Sequence, residues 1–192
     1  CLCRPTSGDA VLLGESITKD PMAVKQKINV SPQETAVAPN LSVKENLQTI
    51  AELYGNSKKD AIKKAEEMIE KFSLTEVAKS KAKTLSGGWQ RRLSIAMALI
   101  SNPKILFLDE PTLGLDVLAR RELWGIIKKL KGKITIILTT HYLEEAEALS
   151  DRIGIMSKGE LKAVGTLKEL MNRTNTEKLE DAFVALNGGV EL

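Results

Sequence analysis

The sequence predicts an α/β protein with a mostly parallel sheet and a helical lobe inserted into it. Three observations carry that expectation. Ile105-Leu106-Phe107-Leu108 and Ile134-Thr135-Ile136-Ile137-Leu138 are short apolar runs of the kind that form strands buried on both faces. Helical patterns separate and follow them, and strand–helix–strand alternation implies parallel pairing with helices on the sheet faces. From about Pro39 to Ser101 only helical periodicity remains. The expected division is therefore an α/β body of residues 1–38 and 102–192, with residues 39–101 as the inserted lobe.

Each element has its own signal. Pro5 to Asp9 reads as a turn and Ala10 to Leu13 as a short strand broken by Gly14. Asp20 caps, and Pro21 opens, a helix to about Lys27. Ile28-Asn29-Val30 is a brief strand before Ser31-Pro32-Gln33. Ser42 caps a helix carrying Val43, Leu47, Ile50, Ala51 and Tyr54, ended by Gly55-Asn56. Ser57 opens a second, with Ala61, Ile62, Ala65, Met68, Ile69 and Phe72 expected on one buried face. A third follows Leu85-Ser86-Gly87-Gly88, with Leu93, Ala96, Met97 and Ile100 as its face. Helices are expected over Val117 to Leu130 and Leu143 to Leu149. A hairpin from Arg152 to Val164 turns at Lys158-Gly159, and two short helices follow near Leu167 to Met171 and Lys178 to Leu186.

Bulk properties exclude several classes. Of 192 residues, 43% are hydrophobic and 28% charged, an ordinary soluble balance. No apolar run approaches the roughly 18 residues of a membrane span, so any link to a membrane is expected through a partner. A net charge of +3, from 28 basic and 25 acidic residues, is too balanced to argue for nucleic acid. The two cysteines, Cys1 and Cys3, fit neither a disulfide framework nor a zinc site, which suits a reducing cytoplasm. The sequence begins with Cys1 and no helix-start signal, and is expected to be part of something longer.

Five short motifs carry chemistry. Asp109 and Glu110 follow the strand Ile105 to Leu108, at the end of a parallel strand where ligands of open α/β sheets bind. Adjacent acids at a buried edge need compensation. Mg²⁺ would supply it through oxygen ligands, assigning Asp109 to metal and leaving Glu110 to orient or deprotonate a water. Ser86-Gly87-Gly88 allows close backbone approach at a helix start whose N–H groups suit a phosphate, or is an ordinary Ser-capped turn. His141, the one histidine, follows the second strand and is expected at the same rim as Glu110. Gln33 follows a third strand, where its amide would face that rim. Asp116, in Gly114-Leu115-Asp116, is also the N-cap expected of the next helix.

In order, Ser31-Pro32-Gln33, Leu85-Ser86-Gly87-Gly88, Leu106-Phe107-Leu108-Asp109-Glu110-Pro111-Thr112, Gly114-Leu115-Asp116 and Thr140-His141 resemble the ATP-binding cassette (ABC) family. The corresponding elements are its Q-loop, signature, Walker B, D-loop and switch histidine. The resemblance covers nearly the whole chain. It implies a P-loop NTPase-like fold, ATP and Mg²⁺ as cofactors, and ATP hydrolysis coupled to transport. Under it, Asp109 holds Mg²⁺ through water, Glu110 polarises the attacking water, and His141 contacts the γ-phosphate. Gln33 touches metal or water and relays to the membrane partner. Ser86, Gly87 and Gly88 cap the nucleotide of an opposite subunit, and Asp116 lies at the dimer seam. The implied partners are a transmembrane permease subunit and a second ATP-binding subunit, identical or not. The implied location is the inner, cytoplasmic face of the cell membrane.

There are two departures. Trp89 stands where many members place glutamine. No G-x-x-x-x-G-K-[ST] loop occurs in the 192 residues, so the β- and γ-phosphates lack their main cradle. These residues alone are expected neither to bind ATP tightly nor to turn it over, and to leave a sheet edge open. The stretch between Gln33 and Ser86 is too short for the coiled coil of DNA-repair relatives, and one motif set differs from the tandem ribosome-associated relatives. Thr139 to Glu147 and Leu179 to Phe183 resemble ABC-2 type exporter ATPases. The alternative function is a non-catalytic cassette remnant that binds or regulates an intact subunit.

Overall fold

The computed structural model describes residues 3–188, which form two compact units dividing between Thr139 and Thr140. Cys1 lies outside the described residues; Cys3 is exposed and its thiol is free.

The first unit opens with a small antiparallel hairpin, β1 (Val11–Leu12) and β2 (Glu15–Ser16). The return strand is only two residues long, too short to show a period in sequence. In α1 (Pro21–Lys27), the Asp20 carboxylate accepts from Ala23 N at 3.0 Å, and Pro21 sits where its missing N–H has no intrahelical partner to lose.

The sheet has the order β3 (Ile28–Ser31), β4 (Ile105–Asp109), β5 (Thr135–Thr139), all parallel. Ser31, Leu108 and Leu138 stand abreast. Central β4 buries Ile105, Leu106 and Leu108. β5 differs from the strand expected to be buried on both faces. Thr135, Ile137 and Thr139 are exposed, Ile137 by 41%. Among the described residues β5 pairs only with β4, and its residues alternate with period two, as in a half-solvated strand.

Helices α2 (Val43–Leu53) and α3 (Lys58–Lys71) pack closely, with Leu47, Ala51, Ala61, Ala65 and Phe72 buried. A reciprocal cap starts α2: Ser42 Oγ accepts from Glu45 N, and Glu45 accepts from Ser42 N. Ile62, expected on the buried face of α3, is 43% exposed. The arc Ala61, Ala65, Ile69, Phe72 is complete without it. Two 3₁₀ turns lead to α4 (Gly87–Leu99), which packs on α2, β3, β4 and α5 (Val117–Leu130). With neighbours on so many sides, α4 is buried well beyond the single face expected, Arg91 and Arg92 included.

The second unit holds α6 (Leu143–Leu149), the hairpin β6 (Ile153–Ser157) and β7 (Glu160–Gly165), α7 (Leu167–Thr174) and α8 (Leu179–Leu186). Lys158 and Gly159 both have positive φ, the geometry of a two-residue hairpin turn. Ile153, Ile155, Ala163, Leu170 and Leu179 form its core. Among the described residues no helix is long and apolar enough to cross a membrane.

Candidate functional site

Buried β4 delivers two acids at its carboxyl end, with Asp109 exposed and Glu110 half-buried. Asp109 is in register with Thr139 of β5, whose hydroxyl donates to Asp109 Oδ1 at 2.5 Å. Glu110 N donates to Thr139 O at 3.1 Å. At Glu110 the chain turns through a left-handed conformation, φ 45°, which costs a non-glycine residue about 1–2 kcal/mol. Buried Pro111 and Thr112 hold the turn from behind. Leu13, Ser73, Asn102, Lys158 and Asn175 share the left-handed state, but Glu110 is the acid among them and sits at a strand end.

Gln33 lies two residues past the end of β3, exposed, at the same end of the strands as Asp109. Its loop is tied to α4. Ser31 and Ser94 share a buried hydroxyl hydrogen bond at 3.0 Å, and the Arg91 guanidinium donates to Pro32 O at 2.6 Å and to Gln33 O.

Ser86 is the N-cap of α4, yet its hydroxyl oxygen accepts no capping bond from the first turn of the helix. Gly87 and Gly88 start the helix against the segment that opens α5. A Cβ on Gly88 would stand 3.2 Å from the Ala119 side chain, whereas one on Gly87 would meet Leu115 at an ordinary 3.8 Å. Packing therefore favours glycine at 88 and leaves room for a methyl at 87. Asp116 caps α5, with Oδ1 accepting from Leu118 N at 2.9 Å and Ala119 N at 3.0 Å.

His141 belongs to the second unit. It is exposed, with its ring centroid 4.1 Å from that of Tyr142, and Tyr142 N donates to Thr140 Oγ1 at 3.0 Å.

The first unit thus gathers Gln33, Asp109 and Glu110 at one end of its strands, and sets Ser86-Gly87-Gly88 beside Gly114-Leu115-Asp116. Sequence reasoning missed Thr139, Arg91 and the backbone state of Glu110. An arginine amid Leu93, Ile95 and Ala96 was the available signal for Arg91; the other two left none. A hollow of about 580 Å³ lies at the opposite end of the strands, among Lys27, Lys104 and Lys133.

The donor set bears on a cation. Mg²⁺ keeps several waters and takes one or two carboxylates plus substrate phosphates. An exposed carboxylate oriented by a neighbouring hydroxyl fits that requirement. Among the described residues no cluster of three His, Cys, Asp or Glu side chains offers an all-protein cage.

An acidic strand end in a parallel sheet, with a glycine-opened helix packed on that sheet, is an arrangement compatible with a P-loop NTPase-type fold. Solved structures agree. One of the ATP-binding subunit of an ABC transporter superposes with a TM-score of 0.81 at 27% identity, covering 96% of this chain and 78% of that one. A dimeric post-hydrolysis state of an ATP-binding cassette, bound to ADP and Pi, gives 0.76 at 29% identity, covering 87% and 76%. The ABC transporter family model matches residues 2–113, and the chain belongs to that family. It is 43% identical over 199 residues to the doxorubicin resistance ATP-binding protein DrrA of Mycobacterium tuberculosis, covering 98% of this chain and 60% of that protein. The chain therefore spans well under two thirds of that relative's length.

Proposed function

We propose that this chain is the nucleotide-binding part of an ATPase that drives an ABC-2 type exporter from the cytoplasmic face of the membrane. The observation that carries the reading is the end of β4: Asp109 oriented by Thr139, and Glu110 held in a left-handed turn beside it. In this reading Asp109 holds Mg²⁺, which when bound would neutralise phosphate charge. Glu110 orients and deprotonates the attacking water. Gln33 senses that site from the β3 end, and His141, in the place of the family's switch histidine, contacts the γ-phosphate. Ser86, Gly87 and Gly88 cap the nucleotide held by a second ATP-binding subunit, with Asp116 at the seam. The dimeric cassette bound to ADP and Pi supports that pairing.

The name of the doxorubicin-resistance relative supports export. Residues 39–101 form the helical lobe of the cassette, and 1–38 with 102–192 its α/β body. A groove of about 130 Å³, lined by Val30, Pro32, Ile50, Tyr54 and Met97 among others, lies beside the Gln33 loop.

The test is Glu110→Gln in the full-length protein. ATP turnover should fall at least about a hundredfold while ATP binding persists. Unchanged turnover refutes the reading.

A further inference from the structure

We propose that Arg91 is a positioning residue that fastens the loop carrying Gln33 to the helix beginning at Ser86-Gly87-Gly88, so that the two shift as one piece; this rests on the ATPase reading above. Three residues of α4, at positions 90, 91 and 94, engage residues 31–35. Gln90 Oε1 accepts from Thr35 Oγ1 at 3.4 Å, while its amide nitrogen donates to Ala82 O and Leu85 O, both at 3.2 Å. Ser94 meets Ser31 through buried hydroxyls. Between them Arg91, only 5% exposed, sends its two terminal nitrogens to the successive carbonyls of Pro32 and Gln33.

A planar guanidinium can hold two adjacent carbonyls at once, whereas an ammonium is a single point of attachment. Burying a charge in a packed helix is a poor way to gain stability, since an apolar side chain of similar volume often serves as well. The arrangement makes sense as a link. Nucleotide engagement at the start of α4 and the setting of Gln33 become one coordinate, because the loop cannot move without displacing Arg91.

The experiment is a double-mutant cycle on ATP turnover in the full-length protein assembled with its membrane partner, using Arg91→Met, Gln33→Ala and the double variant. Each single change should lower kcat about tenfold or more, because small misplacements of positioning groups are costly, with KM for ATP within about twofold. If Arg91 acts through the Gln33 loop, the double variant is no slower than the worse single. Multiplying effects, a silent Gln33→Ala, a silent Arg91→Met or a loss expressed in KM each overturn the proposal. If circular dichroism shows Arg91→Met unfolded, Arg91→Lys takes its place with the same split expected, and wild-type kinetics there overturn it. Glu110→Gln runs alongside. Turnover that survives it overturns the ATPase reading and this proposal together. Turnover lost there, with multiplying effects in the cycle, overturns the Arg91 link alone.

Discussion

Helix α3 offers a matched pair of truncations whose costs the structure separates. Phe72, at its C-terminal end, is fully buried, while Ile62, near its start, is 43% exposed. Phe72→Ala opens a cavity among packed side chains and should cost about 3–5 kcal/mol. Ile62→Ala forfeits only part of an isoleucine's transfer energy, opens no enclosed cavity, and gains a few tenths of a kcal/mol in helix propensity, leaving less than about 1 kcal/mol. With a urea slope of about 2 kcal/mol per molar, the first change lowers the midpoint by about 1.5–2.5 M and the second by under about 0.5 M. The two tryptophans, Trp89 and Trp124, both lie in the first unit, so their fluorescence during urea titration follows that unit. Equal shifts, or a larger one for Ile62→Ala, would refute the assignment of the buried arc to Ala61, Ala65, Ile69 and Phe72.

Two further contrasts follow. Gly88→Ala should destabilise the first unit by about 1 kcal/mol, because α5 must yield to the new methyl. Gly87→Ala should fold at least as stably as wild type yet lose ATP turnover at least tenfold, which thermal melts and turnover assays on the full-length protein check. Hydrogen bonds from Ser42 N and Ser42 Oγ hold the Glu45 carboxyl below its ordinary value of 4.5, and Thr166 does the same for Glu169. Because the folded pKa is depressed, the stabilisation is complete above about pH 4.5 and is lost as pH falls through the lower folded value. Wild type and Glu45→Gln should therefore converge in melting temperature as the solution is acidified below that point, and a constant gap would contradict the cap.

Much of this architecture was legible because its signals are local. Asp20, Ser42, Ser57 and Asp116 each announce a helix start through one side-chain acceptor. β4 was plain from four consecutive apolar residues ending in two acids. Burial was harder, since it depends on neighbours. β5 has the composition of a core strand but one partner among the described residues. α4 looks one-faced by period yet is enclosed by two helices and the sheet. At the site, residue identities indicated Gln33, Asp109 and Glu110. The contacts of Thr139 and Arg91 were not legible, because partners 30 and 58 residues away leave no periodic trace.

The backbone of Glu110 carries an evolutionary corollary. Glycine occupies that left-handed state without steric penalty, so a lineage chosen only for robustness would drift toward glycine there and discard the acid. Heat tolerance and turnover pull in opposite directions at this codon. Selection for thermal hardiness alone should reach it early and return sturdy, inert proteins.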